Sequence, residues 1–285
     1  MLKLFDASVT PILLYGSEVW EPFTNHDWKK WDTTQTEKIH TQFLKRLLGL
    51  NRSTTNLITR GELGRHSLQA QIVTRNINYI KYLEKKDPQT LVRQAANYEL
   101  SHLERISFYS LFKKYEQDLN NHNIRTLSKY KIRKLINEEF DTQWLVQLST
   151  FPKADSYKLF KKRVEYENYL TDIKNRKRRV SFTKFRLSDH CLMIEKGRHI
   201  RPIIPRNERF CPFCPSSVED EIHFLTTCPT YNLISEKLFS ELPIQRATFY
   251  SDKFLLFKYL MKEKKAIKKQ RKIHKYCTLY TRISH

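Results

Sequence analysis

The chain has 285 residues, enough for one large domain or two small ones. Lysine and arginine number 52 against 30 acidic residues, which gives a formal net charge of +22 at pH 7. This surplus exceeds what solubility requires and indicates a polyanionic partner. Only 5 residues are glycine, which argues against glycine-rich phosphate loops and β folds with many turns. No run approaches the length of a membrane span, so we expect no membrane partner.

Apolar residues recur at helical spacing through most of the first 170 positions. No segment alternates apolar and polar residues over the length of a strand. The sequence therefore predicts an all-α fold. The spacing predicts helices over 37–48, 66–84, 128–148 and 156–170, and another that follows Asp87-Pro88 and runs through Leu100.

The composition changes near residue 174, where a basic run begins. The cysteines and several prolines follow, and eight of the fourteen residues in 262–275 are lysine or arginine. We place the domain boundary at this change. Residues 1–173 form a helical region, and residues 174–285 form a basic linker, a Cys/His module and a basic C-terminal helix. Five cysteines, an odd number, in a chain that can bury a core indicate a reducing, intracellular setting, nuclear or cytoplasmic.

The cysteine and histidine spacing predicts a zinc site. Cys211, Cys214, His223 and Cys228 follow the pattern C-x2-C-x8-H-x4-C. Zn²⁺ favours four sulfur or nitrogen ligands in a tetrahedron, and a C-x2-C turn brings two thiolates to one side of the ion. Ser217 is predicted to cap a short helix that carries His223 and ends near Cys228. Four protein ligands leave no position for water, so the site is predicted to be structural.

Several neighbouring residues keep alternative interpretations. His190 and His199 are alternative histidine ligands, although their spacing from Cys211 is less regular. We interpret Cys191 and Cys277 as small buried apolar residues. The acidic triplet 219–221 either complements a helix dipole or supports a metal ligand from outside.

The sequence lacks the motifs of several common enzyme classes. It has no glycine-rich phosphate loop and no G-x-S-x-G turn. No two aspartates are adjacent, so the metal-binding aspartate pair of a polymerase palm is missing. Asp189 and His190 are neighbours, but adjacent side chains on a helix point in different directions. We therefore expect no catalytic residue in this chain.

Two basic segments are candidates for nucleic-acid binding, because lysine and arginine neutralise phosphates without sequence preference. Phenylalanines at 182, 185, 210 and 213 lie between or near the cations and could stack on bases. Alternatively, these rings belong to the core, and the run 174–179 is a nuclear localisation signal or a solvated face. The candidate contacts are Lys174, Arg176, Lys177, Arg178 and Arg179, and in the tail Lys264, Lys265, Lys268, Lys269, Arg271 and Lys272.

Two blocks resemble the C-terminal part of reverse transcriptases from LINE-type non-LTR retrotransposons. Residues 4–20, LFDASVTPILLYGSEVW, resemble the thumb segment that follows the polymerase palm, and 43–49 and 61–65 continue this block. Residues 186–190, 195–199 and 209–229 resemble the zinc-knuckle region of the same proteins. Residues 85–175 correspond to the family only by their order along the chain.

The resemblance implies a helical thumb-like region, a CCHC zinc module and a partner that is RNA, DNA or both. Arg186, Arg198 and Arg209 match family positions, and they either contact nucleic acid or pair with Glu195, Glu208 or Glu219. The family's palm and endonuclease precede this region and are absent from the chain. The resemblance thus implies a non-catalytic remnant or fragment that binds RNA or single-stranded DNA.

Two other functions remain open at this point. The chain could be a structural or interaction protein that binds no nucleic acid. It could also be a fragment of an RNA-directed DNA polymerase that is active only when joined to its palm, in which case the remainder of the reverse transcriptase is its partner.

Overall fold

The computed structural model describes residues 1–20, 31–102, 109–118, 124–232 and 252–262. It is 67% helix and 2% strand, so the predicted all-α fold is confirmed. In the described ranges the strand content consists of two isolated antiparallel bridges, Leu63–Tyr166 and Phe210–Val218. No helix of these ranges is both long enough and apolar enough to cross a membrane.

The contacts divide the chain into two discontinuous units. The first unit comprises 1–43 and 65–146, and the second comprises 44–64 and 147–285. This division differs from the compositional boundary at 173/174, since 44–64 and 147–173 belong with the Cys/His module. In chain order the α-helices are α1 (Leu2–Ser8), α2 (Thr10–Leu13), α3 (Ser17–Trp20), α4 (Gln35–Leu48), α5 (Asn56–Glu62), α6 (Leu68–Glu84), α7 (Leu91–Ser101), α8 (Tyr109–Asp118), α9 (Lys129–Thr150), α10 (Asp155–Phe160), α11 (Tyr169–Asp172), α12 (Arg176–Arg186), α13 (Met193–Lys196) and α14 (Lys253–Lys262).

The core of the first unit forms around α6. Its apolar residues recur every three or four positions, so they lie on one face, which packs against residues of α7, α8 and α9. The helices predicted from this spacing over 66–84 and 128–148 agree with α6 and α9 to within two residues at each end. The buried cluster comprises Ala70, Val73, Ile77, Ile80, Leu83, Ala96, Tyr109, Phe112, Tyr115, Ile124, Ile132 and Ile136.

A buried carboxylate ties α4 to the start of α6 in the first unit. Glu37 is fully buried and accepts hydrogen bonds from the Trp31 indole at 2.9 Å, the Ser67 hydroxyl at 3.1 Å and the Leu68 amide at 2.9 Å. His40 lies 3.1 Å away on the other carboxylate oxygen. Since buried charge needs such partners, Glu37 fixes the position of four neighbouring residues.

The helix predicted over 156–170 is wrong in its second half. Helix α10 ends at Phe160, Lys161 has an extended backbone, and the chain becomes helical again only at Tyr169. The helix is interrupted because this segment pairs with residues distant in the sequence, which the spacing of apolar residues does not predict. Leu63 and Tyr166 form an antiparallel bridge, and the Glu167 amide donates to the Glu62 carbonyl at 3.2 Å.

Candidate metal centre and basic surface

Four side chains of the second unit converge on one point. One ligand atom from each of Cys211, Cys214, His223 and Cys228 lies within 4.8 Å of the other three, and the group can hold a metal ion. Cys211 and Cys228 are buried, so the cluster is largely closed to solvent. These are the four residues that the spacing predicts.

The separations of the sulfur atoms match a tetrahedral ion. Cys228 Sγ lies 3.9 Å from Cys211 Sγ and 3.7 Å from Cys214 Sγ. Four ligands at the Zn–S bond length of 2.3 Å form a tetrahedron with edges of about 3.8 Å. The distance from Cys214 Sγ to His223 Nε2 is 2.9 Å, shorter than the corresponding S–N edge of about 3.6 Å. An ion would therefore push this pair apart by about 0.7 Å.

The C-x2-C turn is held by backbone hydrogen bonds. The Cys211 amide donates to the Ser217 carbonyl at 2.9 Å, and the Ser217 amide donates to the Cys214 carbonyl at 3.2 Å. Burial raises the pKa of the Cys211 thiol, while the amides of Phe213 and Cys214 donate to its sulfur and act in the opposite direction. These amides favour the thiolate, which is the form that binds metal.

The histidine ligand sits on a wide helical turn. His223–Thr227 is a π-turn that ends directly before Cys228, which brings the third and fourth ligands to the same side. Asp220 Oδ1 accepts from the His223 amide at 2.7 Å, so Asp220 caps this turn and the prediction of Ser217 as the cap is wrong. The sequence signal for the correct residue was an aspartate three positions before His223.

The orientation of the imidazole leaves Nε2 for the ion. His223 Nδ1 lies 3.1 Å from the Thr227 hydroxyl, and Nε2 faces Cys214. Burial lowers the pKa of His223, which favours the neutral imidazole that ligates metals. Hydrogen bonding of the other ring nitrogen fixes ring orientation and tautomer in such sites.

Burial disfavours ionisation of the thiols in the protein alone. Burial and, to a smaller extent, the neighbouring Cys211 and Cys228 together raise the pKa of Cys214 to about 12. In this state the thiols of Cys211 and Cys214 would be neutral and only weakly hydrogen-bonded. A divalent cation reverses the balance, because each thiolate then has a positive charge at bonding distance.

The other two residues of the acidic triplet, Glu219 and Glu221, are buried and bonded to neighbouring groups. Glu219 is fully buried, with Oε1 3.8 Å from Cys211 Sγ and Oε2 accepting from the Met193 amide at 2.7 Å. Glu221 Oε1 accepts from the Ser188 hydroxyl at 2.6 Å and lies 2.9 Å from His190 Nε2. Burial opposes the charge of Glu221, but these two partners hold its pKa at about 2.

The alternative ligands lie elsewhere. His190 is engaged with Glu221, and His199 is exposed; neither belongs to the cluster. Cys191 is partly buried, and burial raises its thiol pKa. Cys277 lies outside the described residues. Asp189 binds both the amide and the side chain of Asn51, at 2.9 and 2.7 Å, so it does not act together with His190.

The run predicted to be a basic linker is instead the start of a helix. Asn175 Oδ1 accepts from the Arg178 amide at 3.1 Å and caps α12. Lys174, Arg176 and Lys177 are exposed, and Arg178 and Arg179 are partly exposed. The first turn contains no acidic residue, although cations there oppose the helix dipole. Arg179 Nη1 donates to the Ile173 carbonyl at 2.8 Å.

Arg186, Arg198 and Arg209, the three arginines proposed from the resemblance, all have partners within the fold. Arg186 is 1% exposed and pairs with Glu62 and Glu167, so its prediction as a nucleic-acid contact is wrong. Arg209 is buried and donates to the carbonyls of Ile194 and Ile204 at 2.7 and 3.0 Å, so it too is withdrawn from solvent.

Of Arg198 and the four phenylalanines near the basic segments, some are buried in the fold and others are exposed. Arg198 is partly exposed and pairs with Glu195 at 3.1 Å, one of the pairings left open by the sequence. Phe182 and Phe185 are buried, whereas Phe210 and Phe213, beside the C-x2-C turn, are 44% and 37% exposed. The tail residues Lys264, Lys265, Lys268, Lys269, Arg271 and Lys272 lie outside the described residues.

The Cys/His module packs on the C-terminal end of α12. The Phe185 ring lies 5.7 Å from Phe224 and 5.5 Å from His190. Phe224 belongs to the π-turn that carries His223. The metal centre therefore helps to position the end of the helix whose first turn carries the exposed cations.

Comparisons with known proteins identify no relative. No protein-family model matches the sequence, and neither a curated protein nor a solved structure matches it.

Proposed function

We propose that this chain is a non-catalytic protein that binds RNA or single-stranded DNA, with a structural zinc ion that fixes the module next to its basic helix. One observation carries the proposal: the first turn of α12 presents exposed cations at a place where they destabilise the helix. A phosphate chain removes this repulsion, since it supplies the negative charge that the first turn of α12 lacks.

The ion is proposed to be zinc because of the donor set. Three cysteine sulfurs and one imidazole at tetrahedral separations suit Zn²⁺, and hard cations such as Mg²⁺ or Ca²⁺ require oxygen ligands. With all four positions taken by protein, the ion contributes to folding and leaves no site for a reacting water. Metal analysis of the purified protein should give one zinc per chain.

The anchoring of α12 supports its role as a binding element. Its C-terminal half is buried through Phe182, Phe185 and Arg186, while its first turn is open to solvent. Cations on a fixed helix lose less conformational freedom on binding than cations on a flexible arm. Exposed Phe210 and Phe213 offer faces for base stacking on the same unit.

The experiment is a titration of single-stranded RNA at several salt concentrations. Each phosphate neutralised contributes about 0.7 to the slope of log affinity against log salt on a single strand. We expect a slope of about −4 to −5 for the whole chain. A slope near zero would contradict the proposal and favour a structural or interaction protein.

We propose that the chain derives from the C-terminal part of a reverse transcriptase of the LINE type. The proposal is supported by the resemblance of the two sequence blocks to that region. Several residues of these blocks also pack in the core of the second unit. A Cβ atom on Gly197 would lie 2.8 Å from the Arg209 side chain, so this pair requires glycine. The gene sequence upstream of Met1 tests the origin, since a palm-coding frame there would identify the parent protein. Template-primed DNA synthesis by this chain alone should equal that of a protein-free control.

A further inference from the structure

We infer that the first unit carries a second contact for single-stranded nucleic acid, on the first two turns of α9. The α9 patch consists of Lys129, Tyr130, Lys131, Arg133 and Lys134, and all five side chains are exposed. The inference rests on the proposed function for the class of ligand. It uses none of the residues assigned there, so each can fail without the other.

The charge of the α9 patch has one sign. Residues 129–137 contain four cations and no acidic residue. Two of these cations lie in the first turn, where the helix dipole disfavours them. Lys134 has a distant partner, Glu138, at 3.8 Å, and no described carboxylate pairs with Lys129, Lys131 or Arg133. The patch therefore has a positive electrostatic potential, which is suited to binding phosphates.

The shape of α9 groups an aromatic ring with the cations. Ile132 and Ile136 turn into the core of the first unit, which directs the patch to solvent. Arg133 and Lys134 follow Tyr130 by three and four residues, so they are its neighbours on the helix surface. Tyr130 is 78% exposed. A base can stack on this ring while the flanking cations hold the phosphates on either side.

Other exposed tyrosines and cations of the unit are arranged differently. The Tyr98 ring packs against His102 in a tilted arrangement, with ring centroids 4.2 Å apart, and the Lys86 ammonium lies over the Tyr82 ring at 4.5 Å. Arg125 is paired with both Glu84 and Glu116. On α9 the Tyr130 ring, 78% exposed, lies beside Lys129, Lys131 and Arg133, with which no described carboxylate pairs. An exposed ring beside cations suits single-stranded nucleic acid, in which both the bases and the phosphates are accessible.

The test of the charges compares two variants with equal loss of net charge. One carries Lys129→Gln, Arg133→Gln and Lys134→Gln, and the control carries Lys3→Gln, Lys38→Gln and Lys85→Gln, three exposed lysines spread over the same unit. Affinity for a 30-nucleotide poly-U RNA is measured by fluorescence anisotropy across a salt series. We expect the α9 variant to bind about tenfold more weakly or worse, with a slope shallower by about 2. The control should change by less than about threefold.

The test of stacking uses tyrosine alone. Tyr130→Ala should weaken RNA binding about fivefold or more without changing the salt slope, because it removes a ring and no charge. Tyr15→Ala is the control, since that ring is 84% exposed in the same unit. Ultraviolet cross-linking to 4-thiouridine RNA, mapped by mass spectrometry, should label Tyr130 and not Tyr15. Circular dichroism and metal content must be unchanged in all variants.

The outcomes separate this inference from the proposed function. Equal binding by the α9 variant and its control overturns the second contact, while the proposed function stands if the α12 variant described below still weakens binding. Failure of the wild-type chain to bind RNA overturns both. Loss of binding to phosphatidylserine vesicles with unchanged RNA binding would assign the patch to a lipid surface and overturn it as a nucleic-acid contact.

Discussion

Arg186 and Glu62 form a buried ion pair, with Nε 2.6 Å from Oε1 and both side chains closed to solvent. Glu167 lies 2.9 Å from the same guanidinium, which also rests on the Phe160 ring at 4.4 Å. Burial disfavours the charge, but the two carboxylates raise the pKa of Arg186 above its ordinary value. The arginine therefore remains charged and holds α5 and α12 together.

Removal of Arg186 should destabilise the second unit rather than remove a nucleic-acid contact. Arg186→Ala leaves Glu62 buried without its partner, which typically costs about 3–5 kcal/mol. Chemical denaturation measures this loss. Arg176→Ala is the matched control, since Arg176 is exposed on the same helix and should change stability by less than about 0.5 kcal/mol. Equal stabilities of the two variants would contradict the assignment of Arg186 to the core.

Metal binding should depend on Cys211 and not on Cys191. Cys211→Ser removes one of the four donors and should abolish stoichiometric zinc, whereas Cys191→Ser should retain it because Cys191 lies outside the cluster. Plasma mass spectrometry of dialysed protein provides the measurement. Because burial raises the thiol pKa values, zinc binding at neutral pH should release protons, and affinity should fall as the pH decreases. Zinc retained by Cys211→Ser would rule out this ligand set.

Glu221 should stabilise the fold at neutral pH and lose this effect in acid. Its pKa is about 2 in the fold against an ordinary value of 4.5. The stabilisation is therefore complete above pH 4.5 and disappears as the pH falls towards 2. The difference corresponds to about 3 kcal/mol. Glu221→Gln should show this deficit at pH 7 and approach the wild type near pH 2, as followed by urea unfolding. Both proteins release the metal in acid, so their difference isolates Glu221.

The basic first turn of α12 should contribute to binding of all sequences alike. Replacing Arg176, Lys177, Arg178 and Arg179 with Ala should make the RNA salt slope shallower by about 2, since Arg179 is partly engaged by a backbone carbonyl. Zinc content should not change. A control that lacks Lys3, Lys38, Lys85 and Lys258, all exposed, carries the same net charge. Equal slopes in the two variants would mean that the run is an address signal or a solvated face.

Alanine substitutions at Gly64 and Gly16 should distinguish the cost of backbone strain from the cost of a steric overlap. Gly64 and Gly16 both have positive φ, +59° and +66°, so alanine at either costs about 1 kcal/mol in strain. A Cβ on Gly64 would also overlap the backbone of Tyr166, whereas one on Gly16 would touch only the Trp20 ring at 3.5 Å. Gly64→Ala should therefore be the more destabilising by at least about 1 kcal/mol. Similar melting temperatures would exclude the close approach at Tyr166.

Local signals in the sequence predicted much of the fold and the metal ligands. The helices α4, α6 and α9 follow from apolar spacing, and the ligand set follows from a C-x2-C turn with His223 and Cys228 close behind it. Both depend on residues a few positions apart, where geometry is dictated by the chain itself.

Tertiary partners decided what the sequence did not predict. Arg186 belongs to the core because Glu62 lies 124 positions earlier, and no periodicity reports such a pairing. The break after Phe160 likewise depends on Leu63 and Tyr166 meeting across the fold. The sequence around Arg186 fits a surface contact as well as a buried ion pair, because Glu62, which pairs with it, lies far away along the chain.

The four metal ligands lie within eighteen consecutive residues, 211–228. Closing so short a loop costs little chain entropy, so this segment can capture its ion before the distant partners of the second unit have met. During synthesis it would be complete once residue 228 has left the ribosome, before α14 has emerged from it. The centre would then act as an early folding nucleus, onto which Phe185 and the end of α12 dock afterwards.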